Sequence, residues 1–158
     1  MKPRHRLALA ALSSGLVSAP SASAQTSSAG FGARYAVAHD AFADTHDRGW
    51  GLTWSSLADF GGTWLSLGGG WTRFEARDVP EGEAAAPRID QAEATMGLGV
   101  KTGHLYVGGR VGYFFRDEDE WDVLPTVSLR AGSLLLTAEA KVLGDVRWYG
   151  GSISLYSR

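Results

Sequence analysis

From residue 105 to residue 115 the chain alternates without a break. Leu105, Val107, Gly109, Val111, Tyr113 and Phe115 are interleaved with Tyr106, Gly108, Arg110, Gly112 and Phe114. Side chains on a strand project to opposite faces with period 2, so the first set forms an apolar face and the second a face that carries charge. The preceding segment repeats the pattern, with Ala92, Ala94, Met96, Leu98 and Val100 on one side and Glu93, Thr95, Gly97, Gly99 and Lys101 on the other. No α-helix tolerates this periodicity over such a length, and the alternation dominates from about Phe31 onward.

Turn residues then set registers. Thr102-Gly103, taken as a two-residue hairpin turn, puts Lys101 opposite His104 and Thr95 opposite Arg110. Ala131-Gly132 puts Ser128 opposite Leu135 and Leu129 opposite Leu134. Gly144-Asp145 puts Lys141 opposite Trp148 and Glu139 opposite Gly150. In the first hairpin polar meets polar throughout, and in the other two the registers are consistent, keeping the two faces apart, which a slip of one residue would destroy. Trp50 to Ser56, the turn Asp59-Phe60-Gly61-Gly62, Thr63 to Glu75 and a first strand from about Phe31 to His39 bring the count to eight strands. Connections after the second, fourth and sixth are short. Those after the first, third and fifth are long, namely Asp40 to Arg48, Arg77 to Ile89 and Arg116 to Asp122, and the seventh reads as short. The expected fold is all-β, an eight-stranded antiparallel up-and-down transmembrane β-barrel.

The face that contains the ions decides between membrane and water. Arg34, Glu93, Lys101, Arg110, Arg130, Glu139 and Lys141 share one face, and the other carries almost no charge beyond Arg73 and Arg147. An eight-stranded barrel has an interior that just holds its own side chains. Packing Trp50, Trp54, Trp71, Tyr113, Phe115 and Tyr149 into it would overfill it, so the apolar face is expected outside and the charges in a plugged lumen. Trp50, Trp71, Tyr113, Phe115 and Tyr149 then fall near the long-loop ends of their strands, as a girdle at a lipid interface. The inward glycines, among them Gly68, Gly70, Gly97, Gly99, Gly108 and Gly112, leave room for the long basic side chains and for Trp148. A soluble lipocalin-like ligand carrier is the alternative, but the apolar cavity it needs is missing.

Residues 1–24 read as a signal peptide: Lys2, Arg4 and Arg6, an apolar stretch from Leu7 to Val17, Pro20, then Ala22-Ser23-Ala24. That apolar stretch is too short to span a bilayer. Residues 25–158 form the barrel domain. Without the signal, 12 basic residues face 17 acidic ones, which leaves no footprint for nucleic acid. The chain has no cysteine, so export offers it no disulfides.

With these features the mature region resembles the small eight-stranded outer-membrane barrels of the OmpA transmembrane-domain and OmpX kind. It is also similar, more weakly, to YfaZ-type proteins through Met96-Gly97-Leu98-Gly99 and Gly108-Gly109-Arg110-Val111-Gly112-Tyr113. The resemblance implies a bacterial outer-membrane location, insertion by the barrel-assembly machinery, contact with outer-membrane lipid and lipopolysaccharide, and a monomer.

Acidic residues gather at the long-loop end. Asp40, Asp44 and Asp47 in the first loop and Asp117, Glu118, Asp119 and Glu120 in the third could hold divalent cations against lipid phosphates, although no zinc-type spacing is present and no cofactor is expected. Lipid A-modifying enzymes also occur among small barrels; the groups available here would be His39 or His46 with Asp40, Ser55 or Ser152, none within a recognisable motif. The expectation is a non-enzymatic barrel with a charged lumen and acidic extracellular loops, serving envelope integrity or surface interaction.

Overall fold

In the computed structural model, which describes residues 26–78, 84, 86–116 and 120–157, eight strands form a closed antiparallel barrel. They are β1 (Thr26–Ala38), β2 (His46–Asp59), β3 (Thr63–Ala76), β4 (Ile89–Thr102), β5 (Leu105–Phe115), β6 (Glu120–Ala131), β7 (Leu134–Lys141) and β8 (Trp148–Tyr156). Each strand pairs with its neighbours in sequence, and β1 pairs with β8 to complete the ring. The proposed signal peptide lies outside the described residues, as do Asp117, Glu118 and Asp119.

Two hairpins differ from the expected register, each by two residues. Lys101 stands opposite Tyr106 rather than His104, and Ser128 opposite Thr137 rather than Leu135. The turns are Gly103-His104 and Gly132-Ser133, with glycine first. Gly103 has φ 58° and Gly132 φ 64°, and neither His104 nor Ser133 has a positive φ. A left-handed first central residue followed by an ordinary second one is the type II′ arrangement, which suits glycine in that position. Because the slip is even, no side chain changes face. The third hairpin has the expected register, Lys141 opposite Trp148 and Glu139 opposite Gly150.

The seventh connection is longer than expected, since pairing ends at Lys141 and resumes at Trp148. All four longer connections therefore lie at one end of the barrel. Two other loops are shorter than expected: β2 resumes at His46, so Asp47 is within a strand, and β6 begins at Glu120, which also takes Asp122 into the sheet. β1 starts at Thr26, earlier than Phe31.

Polarity is inside out relative to a soluble barrel. Leu52 and Leu98 are each 66% exposed, whereas Arg34 and Lys141 are each 1% exposed. Trp50, Trp71, Phe115 and Tyr149 are exposed on the outer face, with Tyr113 half-buried among them. Its ring packs edge-on against Phe115 and Trp121 at 4.9 and 5.0 Å. The interior is not purely ionic. Leu57, Trp64, Tyr106, Leu135 and Tyr156 form one buried apolar cluster, and Phe74, Phe114, Leu124, Val146 and Trp148 belong to a second, with Phe42. Gly99, Gly108 and Gly112 make room for these rings, and Gly97 for the Arg110 side chain as well. A Cβ on Gly99 or Gly108 would come within 2.7 or 2.8 Å of the Trp64 indole, and one on Gly112 within 2.7 Å of the Phe114 ring.

A layered lumen as the candidate functional site

Inward positions on facing strands bring side chains from distant parts of the chain into one narrow space, and what they build is a stack of layers. The central one is organised by Arg34 on β1. Its guanidinium donates from Nη1 and Nη2 to the two carboxylate oxygens of Glu93 at 2.8 and 2.6 Å, and from Nε to Glu139 at 3.0 Å. It also reaches Thr72 Oγ1 at 3.2 Å and lies 4.9 Å from the centroid of Trp148. Arg110 Nη1 donates to the second oxygen of Glu139 at 3.2 Å. Two arginines and two glutamates thus form a balanced set, tied across the lumen by a bidentate fork whose geometry lysine cannot copy. Buried charges persist only when paired and hydrogen-bonded in this way.

Toward the short turns lies the Trp64 cluster, and at that rim Lys101 forms an ion pair with Asp59. Asp59 also accepts the Gly61 backbone N–H at 3.0 Å. Arg130 donates to the Gly132 carbonyl at 3.2 Å and lies 5.8 Å from the Tyr156 ring centroid. Toward the long loops, Lys141 is held by Glu120 at 2.6 Å and Asp122 at 2.9 Å, with Phe114 under its ammonium at 4.8 Å. The seven lumen residues expected from the sequence all point inward or to the inner rim, but they are divided among three clusters and do not form one network. Asp59 and Asp122 are partners that sequence reasoning missed. The inward parity of both was available, but Asp59 was assigned to a turn and Asp122 to a loop.

Asp122 also anchors the connection between β7 and β8, since its two carboxylate oxygens accept the Leu143 N–H at 3.0 and 3.2 Å. Beside that connection, and joined to it by the Asp40–Arg147 ion pair, a short 3-10 helix (Asp40–Asp44) turns Phe42 into the barrel. There Phe42 stacks on His46 at 4.5 Å and meets Phe74 edge-on at 5.1 Å. His46 is held between Thr45 Oγ1 at 2.8 Å and the Pro87 carbonyl at 3.0 Å. Phe42 is therefore a stopper whose seat is apolar. Phe42→Ala is expected to speed amide hydrogen exchange in residues 39–45 by about 10- to 100-fold, the equivalent of unburying one large side chain. Exchange in β5 is expected to stay unchanged.

The described acidic positions among those expected to bind cations each have their own setting. Asp40, at φ 52°, accepts from Arg147 at 3.0 Å, Glu120 is committed to Lys141, and Asp47 approaches Arg48 at 3.9 Å. Asp44 is exposed in the 3-10 helix. Among the described residues, no three His, Asp or Glu side chains are grouped to hold a metal ion. Of the groups considered for catalysis, His39 and Asp40 meet at 3.1 Å on the exposed rim, while neither serine is bonded to a histidine. His46 and Ser55 stand at opposite halves of β2, with Ser55 bonded to the Tyr156 hydroxyl. Ser152 is buried on β8, and His39 is an exposed neighbour of Asp40. A nucleophile and base must meet within hydrogen-bond reach.

No family model and no curated protein matches the chain. Among solved structures it is similar to Neisserial surface protein A, at 14% identity and a TM-score of 0.42, covering 82% of this chain and 96% of that one.

Between the central ion layer and the Trp64 cluster the lumen keeps a void of only about 10 Å³, lined in part by Ser66, Tyr106 and Arg110. A single water needs about that much space.

Proposed function

We propose that the chain is a bacterial outer-membrane β-barrel that works without catalysis, with its lumen closed and its long loops on the cell surface, serving envelope integrity or surface interaction. The observation that carries this reading is the inverted polarity of a closed sheet. Exposed Leu, Val, Met and aromatic side chains cover the outside, and the ion pairs are turned inward. In water such an exterior would be a continuous apolar surface far beyond the few hundred Å² that soluble monomers expose. In a bilayer it is the surface the solvent demands, and closure satisfies every strand edge. Two apolar clusters and the ion layer between them occupy the described lumen, which supports a structural or surface role over transport.

Met96, outward near the middle of β4 and 54% exposed, tests the membrane reading. Met96→Arg is expected to lower stability by about 2–4 kcal/mol when the barrel unfolds from vesicles, the cost of a cation near the bilayer midplane. A soluble barrel would lose almost nothing at so exposed a site. The wild-type protein is expected in the outer-membrane fraction with heat-modifiable migration. Recovery in the soluble periplasmic fraction would refute the proposal.

A further inference from the structure

The outer face is not uniformly convex. One row across β6, β7, β8, β1 and β2 runs Val127, Ala138, Gly151, Tyr35 and Trp50. Its centre is made of small residues, and Ala33 continues them in the next row toward the short turns. The result is a groove of about 640 Å³, within the range of small-molecule sites. Leu136 and Ile153 border it on the short-turn side. At its β1–β2 end the wall is Tyr35 and Trp50, whose rings pack against each other at 4.5 Å. One row further toward the loops, Val37 pairs with both Arg48 and Tyr149. Directly opposed residues share a face, so Arg48 stands on the outside, just beyond the aromatic wall. Its side chain is 54% exposed and comes no nearer to Asp47 than 3.9 Å, which leaves its guanidinium fork open to an anion.

An apolar groove that ends at an aromatic wall with a cation beyond it matches the order of parts in an anionic lipid. We propose that this groove and Arg48 bind one lipid of the surrounding membrane, with an acyl chain along Ala33, Ala138 and Gly151 and the anionic phosphate headgroup on Arg48. The proposal rests on the membrane reading given above. A second copy of the chain fits the groove poorly. Two-fold association places the same patch against itself, and two concave surfaces would enclose a void whose walls lose their contacts. A flexible chain fills the groove without that loss.

The test is native mass spectrometry of the refolded full barrel in detergent, titrated with dioleoyl phosphatidylglycerol or dioleoyl phosphatidylcholine. The wild-type protein is expected to retain one phosphatidylglycerol, about tenfold more tightly than phosphatidylcholine, as one charge-assisted contact allows. Arg48→Gln should bring phosphatidylglycerol down to the phosphatidylcholine level. Filling the groove with Ala33→Leu plus Ala138→Leu should remove retention of both lipids. Ala92→Leu plus Ala94→Leu, the same enlargement on the outer face of β4, should leave it intact. Undiminished binding in the groove variant or in Arg48→Gln overturns the proposal, as does a dimer that the groove variant dissolves. Heat-modifiable migration is read on every sample. A barrel that migrates as folded but holds no lipid refutes this site alone, whereas a wild-type chain without that migration refutes the membrane reading and the site together.

Discussion

Arg34→Met is expected to cost about 3–5 kcal/mol in urea unfolding from vesicles, because it leaves buried carboxylates without their cation. Glu93 would lose both of its guanidinium contacts, and Glu139 would keep Arg110 alone. The loss should come mainly from stranded charge and less from missing packing, since methionine fills much of the same length. Glu93→Gln in the Arg34→Met background should therefore recover part of the stability, although Glu93→Gln by itself destabilises. That reversal of sign in a double-mutant cycle is the signature of a coupled pair. Arg34→Lys keeps the charge but cannot fork between two carboxylates, and it should fall between the wild type and Arg34→Met. A loss below about 1 kcal/mol for Arg34→Met would place the pair in the range of solvated surface contacts and contradict a closed lumen.

The second large effect is expected at Trp64. This indole, 4% exposed, occupies the space left open by Gly97, Gly99 and Gly108 and packs in one cluster with Leu57, Tyr106, Leu135 and Tyr156. Trp64→Ala should lower stability by about 3–5 kcal/mol, since closed ladders on every side prevent the wall from collapsing into the cavity. Trp50→Ala removes the same atoms from the outer face, where lipid can refill the space, and its cost should be clearly smaller. Equal losses at the two positions would mean that inside and outside had been exchanged.

The comparison of Trp64 with Trp50 also shows what could be read from the chain and what could not. Parity along a strand is a local property, so the facing of Leu98, Val107, Arg110 and Arg34 was legible without any knowledge of neighbours. The number of strands and their closure followed from the same signal. Turn position was harder, because Thr102-Gly103 and Gly103-His104 are both plausible loops, and the face test accepts either when they differ by two residues. The positive φ of Gly103 and Gly132 settles the choice, and that preference depends on whether glycine stands first or second in the turn. Lumen partners were least legible. Arg34 and Glu139 lie 105 residues apart, and only the accumulated stagger of the strands decides which inward side chains share a height. Asp59 and Asp122 were overlooked as partners for a simpler reason. Each sits at a strand terminus, where composition suggests turn or loop while the ladder still continues. The inward rings of Phe74, Tyr106 and Phe114 went unremarked because aromatics other than Trp148 were credited to the lipid face, and the glycines were credited to Trp148 and the basic side chains.

One ladder differs in kind from the other seven. The pairing of Gly30 to Ala38 with Trp148 to Tyr156 is the seam of the barrel, and it joins segments from opposite ends of the polypeptide. Every other ladder can zip as soon as two successive strands exist, whereas this one must wait for the last. Until then both rims of the sheet display unsatisfied amide and carbonyl groups, the template on which one chain sticks to another. A nearly complete sheet therefore exposes an edge that the finished ring does not, and closing the seam is the event that removes it.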